Sequence, residues 1–243
     1  MNAPLSLDAG PPHAATVVTR TQESPTIFSL QLRLDDPAAQ AAYRFAPGQF
    51  NMLYLYGVGE VPISIMSDPE ERGVIGHAIR AQGHVTQGLS RLQPGDKVGI
   101  RGPFGRGWPL QEVSGCDVVL MTGGLGCAPV VSVIHYVLRR RERFGKLVIV
   151  QGVKHADDLI WRERYQQWAR EPRTQVLIAA DVGTSLWPWH VGRVTDLFQL
   201  VQIDLQRAIF QRHFVGRSDL AAHMHQIKIA EDAIQHKGNR QHH

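Results

Sequence analysis

Apolar and polar positions alternate along 27–34, where Phe28, Leu30, Leu32 and Leu34 fall on one side of the chain. A period of two is that of a half-buried strand. Further strand-like runs stand at 15–22, 50–56, 61–66, 76–81 and 97–101, with turn residues between them. Short strands at this spacing predict a six-stranded antiparallel β-barrel or a small sandwich. One helical stretch, 85–92, interrupts them and is stopped by Pro94 and Gly95.

After residue 112 the pattern changes. An apolar run at 118–121 is followed by a glycine turn and a helical stretch, 129–143. A second apolar run, 147–150, leads to a helix at 159–170 that Asp157 or Asp158 caps. A third, 176–180, precedes a short helix at 193–198. Strands alternating with helices predict an α/β domain built on a parallel sheet. The chain thus divides into a loose tail at 1–13, a barrel at 14–112, an α/β domain at 113–198 and a divergent segment at 199–243. That last segment has no clear period, so the sheet is expected to stop at three strands, incomplete at its C-terminal end and bare along one edge.

The turn after the first α/β strand carries Thr122, Gly123, Gly124 and Gly126, and Pro129 suits the first turn of the following helix. A strand, a glycine turn and a helix start form an anion site, because backbone N–H groups point outward and no side chains block a phosphate. The spacing is neither G-x-G-x-x-G nor a P-loop. A turn that only lets strand and helix pack closely fits the same residues.

Composition narrows the function classes. The net charge is +4 and the one basic cluster, Arg139 to Arg143, reads as a solvated helix end, so no nucleic-acid partner is expected. Two cysteines, Cys116 and Cys127, are too few for an iron–sulfur cluster within this chain. Without a C-x-x-C, an N-terminal export signal or an apolar stretch of about 18 residues, the expectation is a cytoplasmic protein with no membrane span. His213, His223, His225 and His236 are too irregularly spaced to define a metal site. Hydrolase signatures such as G-x-S-x-G and H-E-x-x-H are missing.

Six motifs then fall in a telling order: FAPGQF at 45–50, PISI at 62–65, GHVT at 83–86, LQPGD at 92–96, GPFG at 102–105 and TGGLG at 122–126. With them, residues 14–198 resemble the ferredoxin–NADP⁺ reductase-like flavoproteins. Within these the chain looks most like the gamma, diaphorase-type subunit of cytoplasmic nickel–iron hydrogenases and sulfhydrogenases, and it is similar to the electron-transfer subunit of dihydroorotate dehydrogenase. The resemblance implies FAD as cofactor, with FMN as an alternative, and NADH or NADPH as substrate. Hydride would pass between nicotinamide and flavin, and single electrons would go on to an iron–sulfur partner such as a hydrogenase. It implies a flavin lying along Pro62, Ile63 and Ser64, with its pyrophosphate at Gly83, Val85 and Thr86. Thr122, Gly123, Gly124 and Gly126 would cradle the nicotinamide nucleotide, with Gly152 and Lys154 near its adenosine ribose; Asp181, after the third strand, is a further candidate that also fits a plain turn. Lys154 would favour a 2′-phosphate.

The chain departs from the family pattern in three places. Val61 stands where the family often has an arginine on the flavin phosphate, and Arg80 is the candidate substitute. No Cys-Gly-Pro strand follows residue 198, and no C-terminal cysteine cluster is present. Two accounts of 199–243 stand open: a disrupted reading frame near 199, or a tail that docks on a partner. The competing reading of the whole is a truncated or degenerate flavin- and nucleotide-binding subunit without catalysis. Neither Cys127, at a helix start, nor His135, within the helix, is expected to react; Cys127 reads as structural and His135 as a packing or surface residue.

Overall fold

The computed structural model describes residues 10–201 and 208–213. Its first sheet contains β1 (His13–Gln22), β2 (Ile27–Leu34), β3 (Phe50–Leu55), β4 (Gly59–Ser64), β5 (Ile75–Arg80) and β6 (Lys97–Phe104). The spatial order is β4-β3-β6-β1-β2-β5, with every pairing antiparallel. Strands β4 and β5 end that order yet meet each other. The buried His77 of β5 reaches the Ser64 carbonyl of β4 at 2.9 Å, and the sheet closes as a barrel. The predicted alternation in β2 holds: Phe28, Leu30, Leu32 and Leu34 are buried with Leu53, Ile65, Ile79 and Ile100. Each such side chain contributes about 2 kcal/mol of burial. A short helix, α1 (Pro37–Ala42), was not predicted; Asp36 caps it by accepting the Ala38 N–H at 2.9 Å. The helix α2 (His84–Leu89) is shorter than its pattern suggested.

The second sheet is parallel. It contains β7 (Asp117–Gly123), β8 (Leu147–His155), β9 (Thr174–Val182), β10 (His190–Val191) and β11 (Ala208–His213), in the order β10-β9-β8-β7-β11. The expectation of three strands and a bare edge is corrected. Two residues of β10 pair with β9, and the six of β11 run alongside β7 from Asp117 to Thr122. The segment 199–243 therefore contributes a strand that its mixed apolar and polar sequence did not announce, because a parallel strand is defined by the neighbour it pairs with. The helices α3 (Ala128–Arg139) and α4 (Arg162–Trp168) pack on this sheet. His223, His225, His236 and the side chain of His213 lie outside the described residues, as do both accounts of the chain beyond residue 213.

The basic cluster is also corrected. Helix α3 ends at Arg139, and Arg139 and Arg140 reach the barrel loop, where both contact the fully buried Asp68. Arg140 also pairs with Glu70 and stacks on Tyr136 with its guanidinium 3.9 Å from the ring centre. Arg141 donates to the Pro172 and Arg173 carbonyls. Sequence spacing placed these arginines at a helix end; only the approach of the two sheets supplied their acidic partners. Ile27, Met66 and Ala78 from the barrel share one apolar cluster with Val130, Val133 and Ile134 of α3.

Candidate functional site

Strand β7 is buried along its length until Gly123, which is partly open. The chain then makes a tight 3₁₀ turn, Gly124–Cys127, and enters α3 with Pro129 in its first turn. Gly124 has φ +52°, a left-handed conformation that side chains adopt with strain. A Cβ placed at Gly123 or Gly124 would find no atom within 4 Å, so the space over the turn is open, as a phosphate cradle requires. Gly126 is buried.

Two predicted residues also make contacts within the protein. The Thr122 side chain is buried, and its hydroxyl donates to Gln151 Oε1, so only its backbone is available to the turn. Gly152 is buried, and a Cβ there would lie 2.7 Å from Val194 Cβ, so this glycine lets the 3₁₀ segment Val194–Leu200 approach β8. Lys154 and Asp181 are exposed at the carboxyl ends of β8 and β9. The pairs Val153↔Ala180 and His155↔Val182 put these two side by side. The carboxyl ends of parallel strands are where such sheets bind ligands.

On the barrel, Val61 and Ile63 pack against the core together with Val85 of α2, while Pro62 is exposed. An apolar residue at 61 thus suits its surroundings. Arg80 is exposed at the end of β5. Gly83 precedes α2 and has open space at its Cβ position apart from Thr86 Oγ1 at 3.9 Å. The Thr86 hydroxyl accepts the N–H groups of Gln82 at 3.1 Å and Gly83 at 2.9 Å and donates to the Gly83 carbonyl at 3.0 Å. It fixes the loop entering α2. Helix α2 packs on β3 and β4, so the GHVT segment and the β4 strand do lie together.

Behind β4 is a polar chain that the sequence did not reveal. Tyr43 donates its hydroxyl to Asn51 Oδ1 at 2.8 Å, Asn51 Nδ2 stands 3.4 Å from His77 Nε2, and His77 Nδ1 meets the Ser64 carbonyl. Every donor meets an acceptor only if His77 is neutral, protonated at Nδ1 and accepting at Nε2. Burial agrees, since it lowers the imidazole from 6.5 to about 4. No spacing signal marks a lone histidine within a strand.

The thiol of Cys127 is buried, and burial pushes it up to about 12 despite the hydrogen bond from Tyr165. A thiol so raised is inert, in keeping with a packing role. His135 is half-buried and edge-on to Trp168, with ring centres 6.2 Å apart. Among the described residues no cluster of histidine, cysteine and carboxylate groups fits a metal ion, and no helix is long and apolar enough to cross a membrane.

Residues 14–108 match the oxidoreductase FAD-binding domain family and residues 120–225 the oxidoreductase NAD-binding domain family. The chain belongs to the oxidoreductases that join an FAD-binding and an NAD-binding domain. It is 37% identical over 163 residues to the sulfhydrogenase 1 subunit gamma of Pyrococcus furiosus, an alignment covering 66% of this chain and 56% of that protein. It is 32% identical over 195 residues to a probable dihydroorotate dehydrogenase B (NAD(+)) electron transfer subunit of Methanocella arvoryzae, covering 79% of this chain and 65% of the relative. The chain therefore spans little more than half to just under two thirds of the length of these relatives. In fold it is similar to a ferredoxin NADP⁺ reductase from Neisseria gonorrhoeae, whose structure has FAD and NADP bound. The TM-score is 0.71 at 17% identity, over 89% of this chain and 90% of the other.

Proposed function

We propose that the chain is the flavin- and nucleotide-binding part of an electron-transfer subunit, taking hydride from NADH or NADPH and passing electrons singly to an iron–sulfur partner of the hydrogenase type. The observation that carries this reading is the open, left-handed glycine turn at the end of β7, in a chain that also folds a closed barrel matching the FAD-binding family. The barrel part would run over 14–112 and the nucleotide part over 113–198. Pro62, Ile63 and Ser64 would flank the flavin ring, with Arg80, Gly83, Val85 and Thr86 toward its phosphates. Gly123, Gly124, Gly126 and the Thr122 backbone would hold the nucleotide diphosphate, with Gly152 shaping the β8 end and Lys154 and Asp181 at the adenosine ribose. Bound FAD supplies a two-electron acceptor able to release electrons one at a time. The protein's own task is to bind, to align the two rings and to exclude water, and no side-chain acid is needed for hydride transfer. Two free thiols support a reducing, cytoplasmic setting.

The test is the visible spectrum of the purified protein before and after NADH or NADPH. A flavin spectrum bleached by either nucleotide is expected. A colourless protein that takes up neither FAD nor FMN on reconstitution would refute the reading and favour a non-catalytic subunit, in line with the apolar Val61. A coloured protein that neither nucleotide bleaches would leave a flavin module without nicotinamide chemistry.

A further inference from the structure

Gln151 is a buried amide in a strand otherwise lined by Val148, Ile149 and Val150. Both polar atoms of its side chain are hydrogen-bonded, and both N–H groups of the amide are used. Oε1 accepts the Thr122 hydroxyl, and Nε2 donates to the Gly124 carbonyl at 3.1 Å and to the Gly152 carbonyl at 2.9 Å. The parallel register sets Thr122 beside Gln151 and Gly123 beside Gly152. One side chain of β8 therefore grips the β7 turn on both sides of Gly123, where Gly124 holds φ +52°.

The peptide after Gly124 is trans and planar, so its C=O and N–H point in opposite directions. Drawing the Gly124 carbonyl toward the buried Gln151 turns the Leu125 N–H away from the interior. If the turn served only to pack strand on helix, apolar residues at 122 and 151 would suffice, since a buried amide is costly unless fully bonded. From this geometry we propose that Gln151 is a positioning residue for the nucleotide site. Acting through Thr122 and the Gly124 carbonyl, it aims the Leu125 N–H at the diphosphate of the nicotinamide nucleotide. This rests on reading the turn as a nucleotide site, and the experiment separates the two claims.

The flavin-loaded protein and the variants Thr122→Ser, Thr122→Val and Gln151→Met are titrated with NAD⁺, NADP⁺ and ADP by calorimetry, and their thermal melting is recorded. Thr122→Ser keeps the hydroxyl and is expected to bind as the unaltered protein does. Thr122→Val and Gln151→Met are expected to weaken the dinucleotides and ADP alike by about tenfold, the loss expected when buried hydrogen-bonding groups lose their partners. Flavin absorbance should be retained. Unchanged binding by both variants overturns the positioning role and leaves the nucleotide site standing. Weakened binding that tracks an equal loss of melting temperature in Thr122→Ser also overturns it, because that outcome marks general destabilisation. Should Gln151→Met fail to fold, Thr122→Val decides, since it removes one hydroxyl at nearly constant volume. If the unaltered protein binds none of the three nucleotides, the reading of the site falls and the positioning role falls with it.

Discussion

Acidification should weaken the barrel through His77. This imidazole is fully buried between β4 and β5, and burial lowers it from 6.5 to about 4. Above pH 6.5 neither the folded nor the unfolded chain protonates it. As pH falls below 6.5 the unfolded chain takes up a proton that the folded barrel refuses, so stability is lost progressively until about pH 4. Each pH unit in that window costs about 1.4 kcal/mol, so the loss is about 2 kcal/mol at pH 5 and about 3 kcal/mol in all. The structure gives the cost a local cause. A proton on Nε2 meets the Asn51 amide donor, and flipping that amide would take its Oδ1 away from the Tyr43 O–H. The assay is urea unfolding at pH 7 and pH 5 for the unaltered protein and for His77→Gln, which does not titrate. Other carboxylates and histidines, including the half-buried His135, contribute to both proteins and cancel in the difference. The unaltered protein should lose about 2 kcal/mol more than the variant between the two pH values. Equal losses would refute the reasoning, as would an imidazole resonance for His77 that titrates near 6.5.

Two further outcomes rest on the packing. Asp68→Ala removes the buried carboxylate that Arg139 and Arg140 share, leaving Arg140 with Glu70 and Arg139 with Glu71, and should cost about 2 kcal/mol in urea unfolding. A cost below about 1 kcal/mol would place this contact with ordinary surface pairs. Gly152→Ala drives a methyl group to 2.7 Å from Val194 Cβ and should cost about 1–3 kcal/mol, with part of it recovered in the double variant with Val194→Gly, which removes that Cβ. A double variant no more stable than Gly152→Ala alone would show that the clash is relieved elsewhere.

Local periodicity sufficed wherever an element carries its own signal. The two-residue alternation of Phe28 to Leu34 marked a barrel strand, and the apolar run with its glycine turn marked β7 and the start of α3. Those patterns are local because a strand face and a left-handed glycine are properties of a few consecutive residues. The order of six short motifs was enough to place the chain in its family. The tertiary structure decided what depends on partners distant in sequence. Strand β11 exists because β7 offers it a free edge, and Arg139 and Arg140 tie the helix end to the barrel loop because that loop brings Asp68 to them. Thr122 and Gly152 were read as site residues, and only the fold shows that each also meets a neighbour, Gln151 and Val194, that no spacing rule connects to it. His77 and Gln151 were invisible for the same reason: a buried polar residue has meaning only through the atoms that satisfy it, and those atoms lie on other strands.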